Sequence, residues 1–253
     1  MQFVDFHTHL DSYKNSLELK NQILNFDGIL VSASMDKNSY EKNLKLKAEV
    51  EKLNSKAKII CTFGIHPSNA EKKLENLLAY SEILQESKII GEIGMDFCWH
   101  KDISPLAQEK VFRFFLEHCD LEKKYCVIHT KDAEEKICRI LEDYKNAKPI
   151  IHWFDGSEDV FDEFIRRNYM QTFGCQTIRS KHIQKLLSKT PLNLILAETD
   201  NPDSEIWLGG KDDSIFLIKR IYTDLAKILN LDFAKMAEII NQNSLRVLQN
   251  LAV

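Results

Sequence analysis

The feature that most constrains this 253-residue chain is a rhythm of short apolar runs. They fall at residues 2–6, 28–33, 58–64, 88–94, 125–129, 148–153, 169–174 and 193–198. Each is near-continuously hydrophobic, as expected of parallel strands covered on both faces. Between them lie segments with helical periodicity, such as 70–87 and 105–124. In the second, Leu106, Val111, Phe114, Phe115 and Leu121 are expected to make one apolar face. Pro105 after Ser104 reads as a first-turn proline behind an N-cap. Two helices are expected to close the chain, the second capped by Asp232. Eight strands each followed by a helix predict an α/β fold of the (β/α)8 TIM-barrel class. A doubly wound open sheet is the competitor. No low-complexity tract, linker or composition break interrupts residues 1–253, so the expectation is one domain.

Composition narrows the function classes. At 44% hydrophobic, the chain has material for a substantial core. Its net charge of −4 gives no global attraction to nucleic acid or an anionic membrane. That argues against a sequence-reading DNA binder, which usually shows a basic face, but leaves room for a nuclease with a local site. Residues 61, 98, 119, 126, 138 and 175 are cysteines, with no CxxC pair among them. No basic segment followed by an apolar run opens the sequence, and nothing approaches the roughly 18 apolar residues of a membrane span. Reduced thiols and a cytoplasmic location are therefore expected.

The residues that matter are the polar ones at the ends of apolar runs. "VDFHTHLDS" places His7 and His9 after the first run, at a spacing that aims both imidazoles to one side if the chain stays extended. "GEIGMD" carries Glu92 inside the fourth run, "CVIHTKDA" ends the fifth with His129, and "PIIHWFDGS" ends the sixth with His152. "LILAETDNPD" ends the eighth with Glu198 and Asp200. In a barrel, the C-terminal ends of the strands surround one mouth, where the active site sits. The bland alternative, in which each is a core or turn residue, requires several separate accidents at one end of the fold.

Four imidazoles and two carboxylates suit a pair of divalent ions: Zn²⁺ and Mn²⁺ by their donor set, Mg²⁺ by the carboxylates. With Glu92 as a bridge, His7, His9 and Asp200 would hold one ion, and His129 and His152 the other. Asp200 is the candidate general base, with Glu92 the second catalytic carboxylate. Asp5, Asp11 and Asp96 are candidates for orienting imidazoles. Trp99 and His100 follow the fourth run, where an aromatic either stacks on bases or packs against a neighbouring loop.

At these residues the sequence resembles the TatD-type metal-dependent deoxyribonucleases of the amidohydrolase superfamily. "FHTHLD", "FGIHP" 63–67, "GEIGMDF" 91–97, "VIHTKDA" 127–133, "IIHWFDGS" 150–157 and "LAETDNP" 196–202 look like that family's ordered motifs. The resemblance implies two divalent ions and hydrolysis of DNA phosphodiesters, by 3′-to-5′ exonuclease action favouring single strands. It also points to His66 and Lys131 as substrate contacts. Lys131 stands where arginine is more usual, which keeps the charge but loses the bidentate fork. "HWFDGS" replaces a more usual "HCFSGS", adding Asp155, an acid that would repel phosphate unless it points away. These departures and the overall acidity leave open an amidohydrolase-like enzyme acting on a non-nucleic ester or amide. A catalytically silent binding protein is a third reading, opposed by the complete ligand set.

Overall fold

The computed structural model describes residues 2–211 and 213–249. Eight strands appear in the expected places: β1 (Phe3–Thr8), β2 (Gly28–Ser32), β3 (Lys58–Cys61), β4 (Ile89–Asp96), β5 (Tyr125–Lys131), β6 (Lys148–His152), β7 (Met170–Phe173) and β8 (Ile195–Ala197). Helices α1 (Ser16–Leu24) and α2 (Lys37–Lys52) follow β1 and β2. Short α3 (Ala70–Lys73) and α4 (Ser81–Glu86) follow β3, and α5 (Pro105–Leu121) follows β4. Next come α6 (Glu134–Ile140), α7 (Glu158–Arg166), α8 (Gln176–Arg179) and α9 (Lys181–Lys189). After β8 the chain forms α10 (Ser204–Trp207), α11 (Leu217–Ile228) and α12 (Phe233–Leu248). The strands order as β1-β2-β3 and β4-β5-β6-β7-β8, with parallel ladders for β1–β2 and from β4 through β7.

Two compact units make up the chain. Among the described residues, the first comprises 2–32, 41–60, 172–211 and 213–249. Within it β1 lies between β2 and the end of β8. Asp200 N donates to His7 O at 2.9 Å, and His9 N donates to Asn201 O at 2.8 Å. Gly28 is required for the approach of β2 to β1, because a Cβ there would lie 1.9 Å from Phe3 O. The closing helices pack on these strands. The buried Tyr222 hydroxyl accepts from Val4 N at 3.0 Å and donates to Val4 O at 3.1 Å. Asn243 on α12 donates to the carbonyls of Leu192 and Ile195, pinning the entry to β8. Asp232 stands at the N-cap of α12 as expected, but its side chain makes no cap hydrogen bond.

The second unit comprises residues 33–40 and 61–171. Phe63, just after β3, pairs with Ile90, and Gly91 N donates to Phe63 O at 2.9 Å. Phe63 stacks against Tyr40, Tyr80 and Phe115 to form an aromatic core. β4 is buried over its whole length. Its Gly94, at φ 148°, sits where a Cβ would come within 2.1 Å of His129 O on β5. Ser104 caps α5 ahead of Pro105, as the sequence indicates.

Two helix expectations fail for physical reasons. Residues 70–87 do not form one helix. A 3-10 stretch over Leu74–Tyr80 separates α3 from α4, with Asn76 at the non-helical φ −127°, ψ 29°. On α5 the buried face is Ala107, Gln108, Val111, Phe112, Phe115, Leu116 and Cys119. Leu106 and Leu121, expected on that face, are 60% and 80% exposed. The true stripe steps by four from Ala107 through Val111 and Phe115 to Cys119, flanked by Gln108, Phe112 and Leu116, and it admits the polar Gln108 because that side chain has a structural task at the end of β4.

Candidate metal centre

In the first unit, β1 runs on through Thr8, two residues past the apolar run, and this extension carries His7 to the strand end with His9 immediately beyond. Their Nε2 atoms lie 3.2 Å apart. Asp200, after β8, places Oδ1 3.5 Å from His7 Nε2 and 3.3 Å from His9 Nε2. One carboxylate and two imidazole nitrogens thus converge on a common point, a group that could hold one ion. Asp200 takes a left-handed backbone, φ 52°, which aspartate tolerates better than most residues.

Asp5 braces this arrangement from beneath. Its carboxylate accepts from Thr199 N at 2.9 Å, Thr199 Oγ1 at 2.6 Å and His7 N at 3.3 Å. Asp5 therefore fixes the backbone on either side of the cluster, and its contact with His7 is to the main chain. Burial pushes its carboxyl up to about 8, against the lowering effect of the Thr199 and His7 hydrogen bonds. Asn201 extends the brace by donating to Ser214 O and accepting from Ser204 Oγ.

In the second unit Glu92 is the hub. It projects from buried β4, with His129 Nδ1 2.8 Å from its Oε1. His152 Nε2 and His66 Nε2 lie 3.7 Å and 3.8 Å from the same oxygen. Register explains the convergence: His129 on β5 pairs with Gly94 on one side and with His152 on β6 on the other. Glu92 and His129, with His66 as the third member, place their ligand atoms close enough to share an ion and form a second such group.

Asp96 sets the state of His129. Its Oδ2 lies 3.1 Å from His129 Nε2. Its Oδ1 accepts from the backbone N–H groups of Cys98, Trp99 and His100, which shapes the loop after β4. Gln108 locks the same corner by accepting from Asp96 N and donating to Asp96 O. Burial would lower the His129 imidazole, but its hydrogen bonds to Asp96 and Glu92 outweigh this and raise it to about 9. Burial likewise opposes ionisation of Asp96, yet His129 and the Trp99 and Cys98 amides hold its carboxyl well below the usual range. The surroundings of His129 thus favour positive charge, which a divalent ion beside Nδ1 would supply while Nε2–H stays on Asp96. Carboxylate–histidine pairs orient metal-binding imidazoles in this way. The donor set fits the expected ions.

His66 differs from the other imidazoles. Its Nδ1 accepts from Ser68 N at 3.2 Å and lies 2.8 Å from Ser68 Oγ. That places the proton on Nε2, making the Glu92-facing nitrogen a donor rather than a neutral ligand. Lys131, only 4% exposed, donates to Trp153 O at 3.0 Å and pairs with Asp155 Oδ2 at 3.0 Å. Its ammonium also sits 5.2 Å from the centre of the Trp99 ring. Asp155 therefore points at Lys131. The Trp153 carbonyl, the Thr199 brace and the Gln108 lock carry no sequence signal beyond lying near motif residues. His118 and His182 lie on α5 and α9, as expected for residues outside the site.

Residues 4–249 match the family model described as TatD related DNase. The chain is 26% identical to an uncharacterized metal-dependent hydrolase of Methanocaldococcus jannaschii, covering 96% of each. It is 24% identical to human deoxyribonuclease TATDN3, covering 98% of the chain and 91% of that protein. Among solved structures, a hydrolase TatD family protein of Entamoeba histolytica aligns with TM-score 0.81 at 17% identity, covering 98% of both chains. An amidohydrolase of Saccharomyces cerevisiae aligns at 0.83 and 14%, covering 98% and 99%. These likenesses establish the fold class as the α/β (β/α)8 TIM barrel.

Proposed function

Starting from the fact that this chain belongs to the TatD-related DNase family of metal-dependent hydrolases acting on ester bonds, we propose that it is a deoxyribonuclease cleaving DNA phosphodiester bonds with two divalent ions. The observation that carries this reading is the convergence of Asp200 Oδ1 on both His7 and His9. In the second unit, the matching group is Glu92, His129 and His152. Glu92 would be the carboxylate ligand of that second group. Mg²⁺, Mn²⁺ and Zn²⁺ all suit the donors. Bound ions would supply an activated water and neutralise charge on the attacked phosphate.

The chain's own groups do the rest. Asp200 takes the proton from the attacking water, being the carboxylate whose Oδ1 reaches both His7 and His9. His66 donates Nε2–H toward the phosphate or a water beside it, because Ser68 holds its Nδ1 as an acceptor. Lys131 meets a substrate phosphate by exchanging Asp155 for it. Single-stranded DNA and 3′-to-5′ exonuclease action follow from the family resemblance. A cytoplasmic setting accords with cysteines that form no disulfide among the described residues. Among the described residues, no helix is long and apolar enough to cross a membrane.

The test is purified protein with Mg²⁺ or Mn²⁺ acting on end-labelled single- and double-stranded DNA, with product length followed over time. Shortening stopped by EDTA, and abolished in a folded Asp200→Asn variant, is the expected result. An active Asp200→Asn would reject the base assignment. The second reading, hydrolysis of a non-nucleic ester or amide, is favoured by the neutralised Lys131, since an acyl substrate needs no phosphate grip. Generic esters and amides assayed alongside DNA separate the two.

A further inference from the structure

Trp99 follows β4 in the loop that Asp96 holds, and its own N–H donates to Asp96 Oδ1 at 2.7 Å. The same carboxylate anchors His129, so one side chain sets both the loop and a proposed metal ligand. Although its backbone is fixed this way, the Trp99 residue is 55% exposed. An indole kept for packing would be expected to lose most of its surface. The Lys131 ammonium lies over the ring, 5.2 Å from its centre. The ring centre is 6.1 Å from that of His129, tilted by 60°. An exposed aromatic surface thus stands beside the Glu92–His129 group, with a cation next to it. Stacking on such a surface is open to every nucleobase, because each has a π face.

We propose that Trp99 is a specificity-determining residue that stacks on the base of the nucleotide being cleaved, selecting nucleic acid over other phosphodiesters. This rests on the deoxyribonuclease reading and names what that site recognises besides phosphate. The Lys131 ammonium polarises the indole and approaches the phosphate side of the same nucleotide. Trp99 acts on binding, and no proton transfer is assigned to it.

The test compares two fluorescein-labelled single strands of equal length, oligothymidylate and a tetrahydrofuran abasic strand, by anisotropy with the full chain in EDTA so that binding is read without turnover. Wild type is expected to bind the base-bearing strand about tenfold more tightly than the abasic one. Trp99→Ala should erase that preference, while Trp99→Phe should keep most of it and shows that the loop still folds. With Mn²⁺ restored, Trp99→Ala should raise KM for oligothymidylate and leave kcat nearly unchanged. Equal binding of both strands by wild type, or a Trp99→Ala loss that is the same on both, overturns the proposal. Failure of the nuclease reading would show separately, as an uncut labelled strand with every metal, whatever the binding ratio.

Discussion

Asp96 and His129 are joined by a 3.1 Å contact from Oδ2 to Nε2, which leaves Nδ1 of the same ring 2.8 Å from Glu92. An imidazole held on both edges by carboxylates has its orientation fixed, with positive charge favoured on the ring. Asp96→Asn keeps an oxygen for the amides of Cys98, Trp99 and His100 but loses the charge behind the ring. Metal affinity should fall roughly 10–100-fold with the fold unchanged. Calorimetric titration with Mn²⁺, alongside far-UV circular dichroism, measures this. An unchanged affinity would remove Asp96 from the metal centre.

Lys131 and Asp155 neutralise one another at 3.0 Å. If a DNA phosphate has to displace Asp155, then Asp155→Ala should lower KM for single-stranded DNA a few-fold. It should also steepen the dependence on salt, since Lys131 then gives its full charge to the phosphate. Lys131→Ala should raise KM. Kinetics at two salt concentrations check both directions, and a rise in KM for Asp155→Ala contradicts the exchange.

If the imidazoles and carboxylates proposed as ligands hold ions, ion binding stabilises the native state. Added Mn²⁺ or Zn²⁺ at a hundredfold over its dissociation constant should contribute about 2.7 kcal/mol per independent site. Thermal unfolding followed by fluorescence reads this as a rise in Tm that EDTA reverses. His9→Ala should diminish the rise.

Gly94 has a backbone that L side chains rarely adopt, and a Cβ there would press on His129 O at 2.1 Å. Neither strand can retreat, since β4 is buried along its length and paired to β5. Gly94→Ala should cost about 3 kcal/mol. It should also weaken metal binding by displacing His129. Urea denaturation, comparing midpoints at constant slope, gives the first quantity.

Asp36 caps the start of α2: its Oδ1 accepts from Ser39 N at 3.0 Å, and Lys73 lies 3.5 Å from Oδ2. Burial works against its charge, but Ser39 and Lys73 prevail and lower its carboxyl below the ordinary 3.8. A lowered folded-state value favours the ionised form. Its contribution is therefore complete above the unfolded range and is lost as pH falls through the folded value. Asp36→Ala should cost about 1 kcal/mol at neutral pH, and the difference from wild type should shrink in acid. Denaturation at pH 7 and below pH 3 tests the sign.

The strands were legible because a strand covered on both faces has to be apolar throughout, and that leaves a mark in the sequence without any knowledge of its neighbours. The polar residues ending those runs were legible for the converse reason, since charge inside an apolar strand needs a partner. His7, His9, Glu92, His129, His152 and Asp200 all stood out on that ground. The helices were less so. Periodicity over 70–87 ignored Asn76, where the backbone leaves the helix, and the face of α5 was misplaced because a buried Gln108 looks like a surface residue.

What the sequence determined by itself is the alternation of strand and helix and the chemistry available at the strand ends. Tertiary structure alone decided how that chemistry is poised: His66 set as a donor by Ser68, Lys131 matched to Asp155 instead of open to phosphate, and His129 held between two carboxylates. These states depend on distances between groups far apart along the chain. A proton's position or a charge's partner is fixed within a few ångströms, and only the packed strands and loops set such distances.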